Sequence, residues 1–336
     1  ENSDVPVVWG GVHPTLLPEQ TLKNENIDFV VVGEGEVTLY NLVKTLEKDG
    51  NLKNVKGIGY KENGKIRINE RAPLVDLNSL PPVPYHLVDV KRYIQRRYEK
   101  DILPIESSRG CPMRCTFCYQ EGYWRRTWRA MRAERVLNEI KKLVDDYNVD
   151  HIFFFDDNFF VDRKRVFDIA KGIIDEKLDI TWGVQTRVDA IDRLNHREFD
   201  FLLKSGYYEL RIGVESGSQR ILNMIKKDIT IPQVIRVNRR LAKVDAHPTY
   251  NFMCGFPTET IEDLKKTSHL ALKLIDENPK ARITHITVYT PYPGSVLFEE
   301  VCKLGFRPPE TLEGWATFEM DTPHMAWVPH ENLKYI

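Results

Sequence analysis

From residue 102 onward the chain repeats one pattern six times: a short, near-continuous apolar run, followed by a segment with helical spacing. The runs cover 102–106, 151–155, 180–185, 208–214, 249–254 and 283–289. Between them, 134–147 is the clearest helix, with Val136, Leu137, Ile140, Leu143, Val144 and Tyr147 at steps of 1, 3 and 4. Strands that are apolar on both faces belong in a parallel sheet covered by helices. A closed barrel takes eight such units and this chain supplies six. The pattern therefore predicts an α/β fold built on a partial, TIM-type (βα)6 barrel over 102–300.

The residues before the barrel read differently. Runs 5–9 and 29–32 look like buried strands. Segment 36–48 places Leu39, Leu42, Val43 and Leu46 on one helical face before Gly50 stops it. Asn63-Gly64 between 58–60 and 65–68 is a hairpin signal. Residues 1–75 thus form a first domain. Pro73, Pro81, Pro82 and Pro84 make 76–101 an extended, semi-rigid linker. Residues 301–336 read as an irregular, aromatic C-terminal extension that is itself cut short. The chain opens on Glu1 and runs at once into an apolar segment, as expected of a fragment or processed product.

Composition narrows the function classes. With 48 basic and 49 acidic residues the formal charge is −1, which argues against a general nucleic-acid binder. The longest stretch without charged residues, 283–298, is rich in Thr, Tyr and Pro, so no membrane span is expected. Five cysteines in 336 residues are too few for a disulfide scaffold, and a reduced, cytoplasmic setting fits them best.

Three of those cysteines are crowded together. Cys111, Cys115 and Cys118 have C-x3-C-x2-C spacing directly after the first barrel strand, at the end where barrel active sites lie. Three thiolates on a short loop can hold three corners of a 4Fe-4S cluster. Without a fourth cysteine nearby, the fourth iron stays open to a ligand. The competing readings are a structural zinc site, which wants four closed ligands, and a chance grouping. Cys254 and Cys302 lie in apolar segments and read as core residues.

The cysteine loop, with Phe117 before the last cysteine, resembles that of the radical S-adenosylmethionine superfamily over about residues 103–300. The resemblance implies a cluster whose open iron chelates S-adenosylmethionine, and cleavage to methionine and a 5′-deoxyadenosyl radical. It also implies S-adenosylmethionine contacts at successive strand ends. Asp156, with Asp157 and Asn158, follows strand two. Gln185 and Arg187 end strand three, and Glu215 stands in GVESGS after strand four. Gly255 and Pro257 follow strand five, and Tyr289 opens YTPYPG after strand six. The usual Gly-Glu pair for the cofactor's amino group is absent, and an Asp after a strand is often simply a helix cap.

Residues 7–36 are similar to the carboxy-terminal half of a Rossmann-like cobalamin-binding domain. This assigns Gly10, Gly11, His13, Gly33 and Glu34 to the crevice at the strand ends. The family's upstream Asp-x-His-x-x-Gly element is not found, and His13 reads as structural rather than as a cobalt ligand. The leading expectation is a cobalamin-dependent radical enzyme that methylates an unactivated carbon. The alternatives are an oxidative cyclase or rearrangement enzyme, an RNA methylthiotransferase, and a non-catalytic metal module. The implied partners are a small or lipid-like substrate and an external one-electron reductant of flavodoxin or ferredoxin type. Trp315, Phe318 and Trp327 are expected to help choose the substrate. The arginine- and tryptophan-rich stretch 123–135 reads as a helix covering the barrel rim and pairing with acids, rather than as a nucleic-acid site.

Overall fold

The computed structural model describes residues 5–318 and 326–328. They fall into two compact units, each built from separated stretches of chain.

The first unit gathers Glu1–Asp76, Thr116–Arg125 and Thr290–Trp327. Its sheet runs β1 (Val8–Trp9), β2 (Phe29–Val31), β3 (Ile58–Glu62) and β4 (Lys65–Ile68) in sequence order. β1 and β2 are parallel and the remaining pairs antiparallel. The β3–β4 turn places Asn63 and Gly64 both at positive φ, as the Asn-Gly signal requires. Two expectations need correction. Only Val8–Trp9 of 5–9 is a strand, and Val5 and Val7 are 61% and 48% exposed, because β1 lies at the sheet edge with one partner. In the helix Gly35–Leu46, Leu42 is fully buried, whereas Leu39 and Val43 are exposed. Leu42 and Leu46 of the predicted stripe pack on the core, with Thr38 buried beside them, while the Leu39–Val43 line faces out.

The second unit contains Leu77–Cys115 and Arg126–Tyr289. Its main sheet follows the order β5 (Gln95–Arg97), β6 (Lys100–Ile105), β9 (His151–Phe154), β10 (Thr181–Thr186), β11 (Tyr207–Glu215), β12 (His247–Cys254) and β13 (Arg282–Ile283). β14 (Thr287–Val288) also pairs with β12. A separate hairpin joins β7 (Ser108–Arg109) to β8 (Arg129–Ala130). From β6 to β14 every pairing in the main sheet is parallel. This is the expected partial (βα)6 barrel.

Burial along β12 separates the two faces of the sheet. Pro248, Tyr250, Phe252 and Cys254 are buried, and Tyr250 donates from its hydroxyl to Asn238 of the helix Ile231–Leu241 at 3.0 Å. His247, Thr249, Asn251 and Met253, on the inner face, are only partly covered. The outer face is a dry core of helices on sheet, with Trp182 stacked on Tyr207 at 4.5 Å and donating to the Ser205 carbonyl at 3.0 Å. The inner face is a concave surface open to a ligand.

Three further expectations are revised. The sixth strand is broken into β13 and β14, because Thr284 Oγ1 bonds Asn251 Oδ1 (3.1 Å) and Thr287 Oγ1 bonds the Phe252 carbonyl (3.2 Å). Such side-chain bonds compete with the ladder. The proline-rich segment contributes β5, antiparallel to β6, rather than remaining an extended linker to residue 101. Finally, 123–135 is not a helix. A first helix ends at Trp124, Arg125 and Arg126 turn left-handed, β8 follows, and a second helix starts only at Ala133. Among the described residues Arg135 pairs with no acid. It donates to the carbonyls of Asn78, Leu80 and Pro81 at 3.1, 2.6 and 3.1 Å and fastens the proline-rich segment.

Candidate active site

In the barrel unit, the loops after the parallel strands converge through a few buried polar side chains. Asp156, after β9, is fully buried, and its carboxylate accepts from Ser107 N (2.7 Å), Ser107 Oγ (2.8 Å) and Ser108 Oγ (2.5 Å). Arg165 donates to the Ser107 carbonyl (2.9 Å) and hydroxyl (2.6 Å). Burial raises the Asp156 pKa, against the pull of the serines and Arg165. Asp156 is therefore spent inside the protein, bracing the chain that leads into the cysteines, and is not available to a ligand amino group. Asp157 accepts from Gly110 N at 2.9 Å. Gly110 has φ +83°, a conformation that favours glycine.

Of this trio, Asn158 remains. It is buried, its amide nitrogen donates to Cys111 Sγ at 3.9 Å, and its buried Oδ1 has no hydrogen-bond partner among the described residues. Burial pushes the Cys111 thiol pKa up. The Met113 backbone N–H, Asn158 and Arg187 pull it down.

Arg187, at the end of β10, links several predicted residues. It donates from Nη1 to Cys115 Sγ (3.6 Å), from Nε to Asp189 (2.9 Å), and from Nη2 to the Lys227 carbonyl. Lys227 Nζ in turn donates to Glu215 Oε1 at 2.6 Å. Arg114, inside the cysteine loop, forks onto both oxygens of Asp228 at 2.8 and 3.0 Å. The turn Lys226–Asp228, which has φ +50° at Lys226 and +55° at Asp228, thus grips the cysteine loop and Arg187 together. Sequence reasoning missed this turn, since nothing in a Lys-Lys-Asp run marks it. Gln185 is half-buried on the inner face.

The next two loops are tied to one another. Asp263 caps the helix Ile261–Glu277 with Thr260 and accepts from Ser218 Oγ at 2.6 Å and from Arg220. Burial opposes its ionisation, but the bonds from Arg220, Ser218 and Thr260 hold its pKa well below the usual range. Gly217 N donates to Thr267 Oγ1 at 2.9 Å, and a Cβ at Gly217 would lie 2.4 Å from the Lys266 carbonyl. Only glycine lets the GVESGS loop lie this close. After β12, Gly255 (φ +78°) and Phe256 donate their N–H groups to Glu259 Oε2 at 2.6 and 3.3 Å. Pro257 is buried beside them, and Tyr289 stacks on Phe256 at 5.5 Å. Glu259 is itself buried, and its Oε1 has no partner among the described residues. Cys254 is buried as expected, while Cys302 is only half-buried.

In the other unit, Gly10-Gly11 follows β1 and Gly33-Glu34 follows β2, at the ends of two parallel strands. Gly11 has φ +103° and Gly33 +93°. Thr15 joins the two turns, donating to the Gly11 carbonyl (2.6 Å) and accepting from Gly33 N (2.8 Å). Glu34 is buried and accepts from Val75 N at 2.8 Å, so its carboxylate shapes the loop from inside. His13 packs on Trp9 (6.0 Å) and Trp315 (5.7 Å), and its buried Nε2 has no partner among the described residues. It lines a cavity of 410 Å³ with Leu16, Tyr119, Tyr292, Trp315 and Phe318. Phe117 and Cys118 are half-buried in this unit. Trp315 contacts Phe318, and Trp327 contacts Phe306.

Among the described residues, no three His, Cys, Asp or Glu side chains converge on one ion. A cubane does not require that convergence, because each of its irons takes its own thiolate. N–H groups aimed at Cys111 and Cys115 suit thiolates bound to a cluster, whose charge they offset.

Comparison with known proteins identifies the family. Residues 105–271 match the Radical SAM superfamily, and residues 1–43 match the B12 binding domain. The chain is 37% identical over 304 residues to an uncharacterized methyltransferase of Pyrococcus horikoshii, covering 89% of this chain and 63% of that protein. It is 31% identical over 304 residues to the anaerobic magnesium-protoporphyrin IX monomethyl ester cyclase of Cereibacter sphaeroides, covering 88% and 48%. The fold is that of the cobalamin-dependent S-adenosylmethionine radical enzyme OxsB, with a TM-score of 0.73 at 21% identity over 90% of this chain and 48% of that one. The protein belongs to the radical SAM superfamily, and its first 43 residues belong to a B12 binding domain. The chain spans between about half and two thirds of the length of these curated relatives.

Proposed function

We propose that the protein is a cobalamin-dependent radical S-adenosylmethionine enzyme that methylates an unactivated carbon. The observation that carries this reading is the pair of N–H donors, from Asn158 and Arg187, aimed at Cys111 and Cys115 at the strand ends. Cys111, Cys115 and Cys118 would hold three irons of a 4Fe-4S cluster. When bound, such a cluster supplies the electron that splits S-adenosylmethionine, and cobalamin supplies a transferable methyl group.

The chain's own residues have distinct tasks. Asn158 would offset the charge on the Cys111 thiolate through its amide N–H. Arg187 and Glu215, held by Lys227, would bind its carboxylate and ribose, together with Gln185. The Gly255–Pro257 turn and Tyr289 would flank its adenine with backbone and apolar surface. Gly10, Gly11 and Gly33 let the backbone approach a bulky ligand, and they are the positions proposed for cobalamin, with His13 and Glu34 supporting the turns from within. An external one-electron reductant is required. No helix among the described residues is long and apolar enough to cross a membrane.

The cyclase reading is favoured by the 31% identity to the Cereibacter sphaeroides enzyme, and product mass separates the two: a gain of one methylene for methylation, a loss of two hydrogens for cyclisation. Anaerobic reconstitution followed by iron analysis and detection of 5′-deoxyadenosine after dithionite tests the reading. Cys115→Ala should lose the cluster's absorbance and all cleavage, whereas Cys254→Ala should retain both. Equal loss of iron in the two variants would defeat the three-ligand assignment.

A further inference from the structure

The inner face of the barrel carries an ion cluster that the cofactor reading leaves unused. Glu209, on β11, is 1% exposed. Its Oε1 accepts from Arg97 Nη1 at 3.1 Å and from Arg211 Nε at 3.0 Å, and His151 Nε2 lies 3.5 Å from Oε2. Both guanidiniums lie over the ring of Phe153, Arg211 at 4.1 Å and Arg97 at 5.9 Å.

One carboxylate faces two permanent cations, so the cluster holds an excess positive charge before His151 is counted. The terminal nitrogens of Arg211 have no acceptor among the described residues, and its side chain is 27% exposed. A partly buried guanidinium in a concave surface is a strong anion site, because its fork matches a carboxylate or phosphate and the surrounding apolar surface focuses its field. By register Arg211 lies beside Gln185, on the face whose residues are left uncovered.

The near end of this surface is closed. The β5–β6 hairpin turns through Tyr98 and Glu99, and Tyr98 packs on Tyr208 (5.7 Å) and His247 (5.3 Å), with Arg282 over its ring at 4.8 Å. The open direction runs along β11 towards Glu215, four residues on, or roughly 13 Å at the rise of a strand.

We infer that Arg211, braced by Glu209 and flanked by Arg97, binds an anionic end of the substrate. This rests on the reading that the strand ends hold the cofactor. It makes the substrate an anion whose carboxylate or phosphate lies deeper on the inner face than the Glu215 end of β11. Glu209 is a positioning residue, holding the Arg211 fork in place.

The test is calorimetric titration of the reconstituted full chain with hexyl phosphate, hexanoate and hexanol. Both anions should bind and hexanol should not, and the tighter anion names the group. Arg211→Gln should weaken anion binding by about tenfold or more, and Arg211→Lys by less. A melting curve on each variant reports folding, and Arg211→Gln leaves the Arg97–Glu209 pair intact. Unchanged affinity in Arg211→Gln, equal binding of hexanol, or no heat from either anion would overturn the inference. Iron content and 5′-deoxyadenosine are read on the same samples. Failure of the cofactor reading therefore appears there, and failure of the anion site appears in the titration.

Discussion

Among single residues, Glu259 gives the clearest signature in solution. Burial pushes its pKa up to about 7, only partly offset by the N–H groups of Gly255 and Phe256. Below the pKa of the unfolded chain, near 4.5, both states are protonated and Glu259 imposes no ionisation penalty. As pH rises towards 7 the unfolded state ionises first, and stability is lost. At 1.4 kcal/mol per pKa unit the loss is at most about 3 kcal/mol. Glu259→Gln keeps an acceptor for the two N–H groups but cannot ionise. Urea unfolding at pH 5 and pH 8 should show the wild type losing stability relative to Glu259→Gln over that interval. Parallel behaviour of the two proteins would mean that the carboxyl ionises freely in the folded state. Asp156 differs in its surroundings: three serine donors and Arg165 hold it, and its work is to anchor the chain entering the cysteine loop.

Among elements, the β5–β6 hairpin is where local preference and tertiary packing conflict. A two-residue turn with both residues left-handed favours Asn-Gly, yet Tyr98 (φ +53°) and Glu99 (φ +61°) occupy it. Glu99 is exposed, so little packing is lost with its side chain, and Glu99→Gly should stabilise the protein by up to about 1 kcal/mol. Tyr98→Gly relieves similar strain but removes the ring contacts to Tyr208 and His247 and the cation over its face. It should destabilise by about 1 kcal/mol or more. Thermal unfolding of the pair decides this: two shifts of the same sign would show that the ring contributes nothing. The helix Gly35–Leu46 teaches a related lesson, since its apolar residues exceed what one face can bury.

For the whole molecule, the division into units predicts how damage spreads. The first unit depends on residues far apart in sequence. Gln20 donates to the Pro309 carbonyl at 2.9 Å and accepts from Trp315 Nε1 at 2.7 Å, and Leu297 N donates to the Thr116 carbonyl at 2.8 Å. A chain ending at Tyr289 should therefore lose hydrogen-exchange protection in β1–β4 while retaining it in β9–β12. Equal loss in both sheets would mean that the units do not fold separately.

Much of this architecture is legible in the amino-acid sequence alone. The six apolar runs determined the parallel half-barrel, because strands buried on both faces have few other arrangements. The spacing of Cys111, Cys115 and Cys118 located the candidate site, and Asn63-Gly64 placed a hairpin, since both are local in the chain. Other features required the tertiary structure. That Asp156 turns inward depends on serines 48 and 49 residues away, and that Asn158 faces Cys111 depends on a cysteine 47 residues away. The Lys226–Asp228 turn joins Arg187 to Glu215 across 40 and 12 residues. The strip 123–135 breaks at left-handed arginines, and β5 leaves the proline-rich segment to join the sheet. Local pattern decides which segments become strands and helices. Which polar groups are desolvated and paired is decided by partners distant in sequence, and burial and pairing set each group's charge and availability.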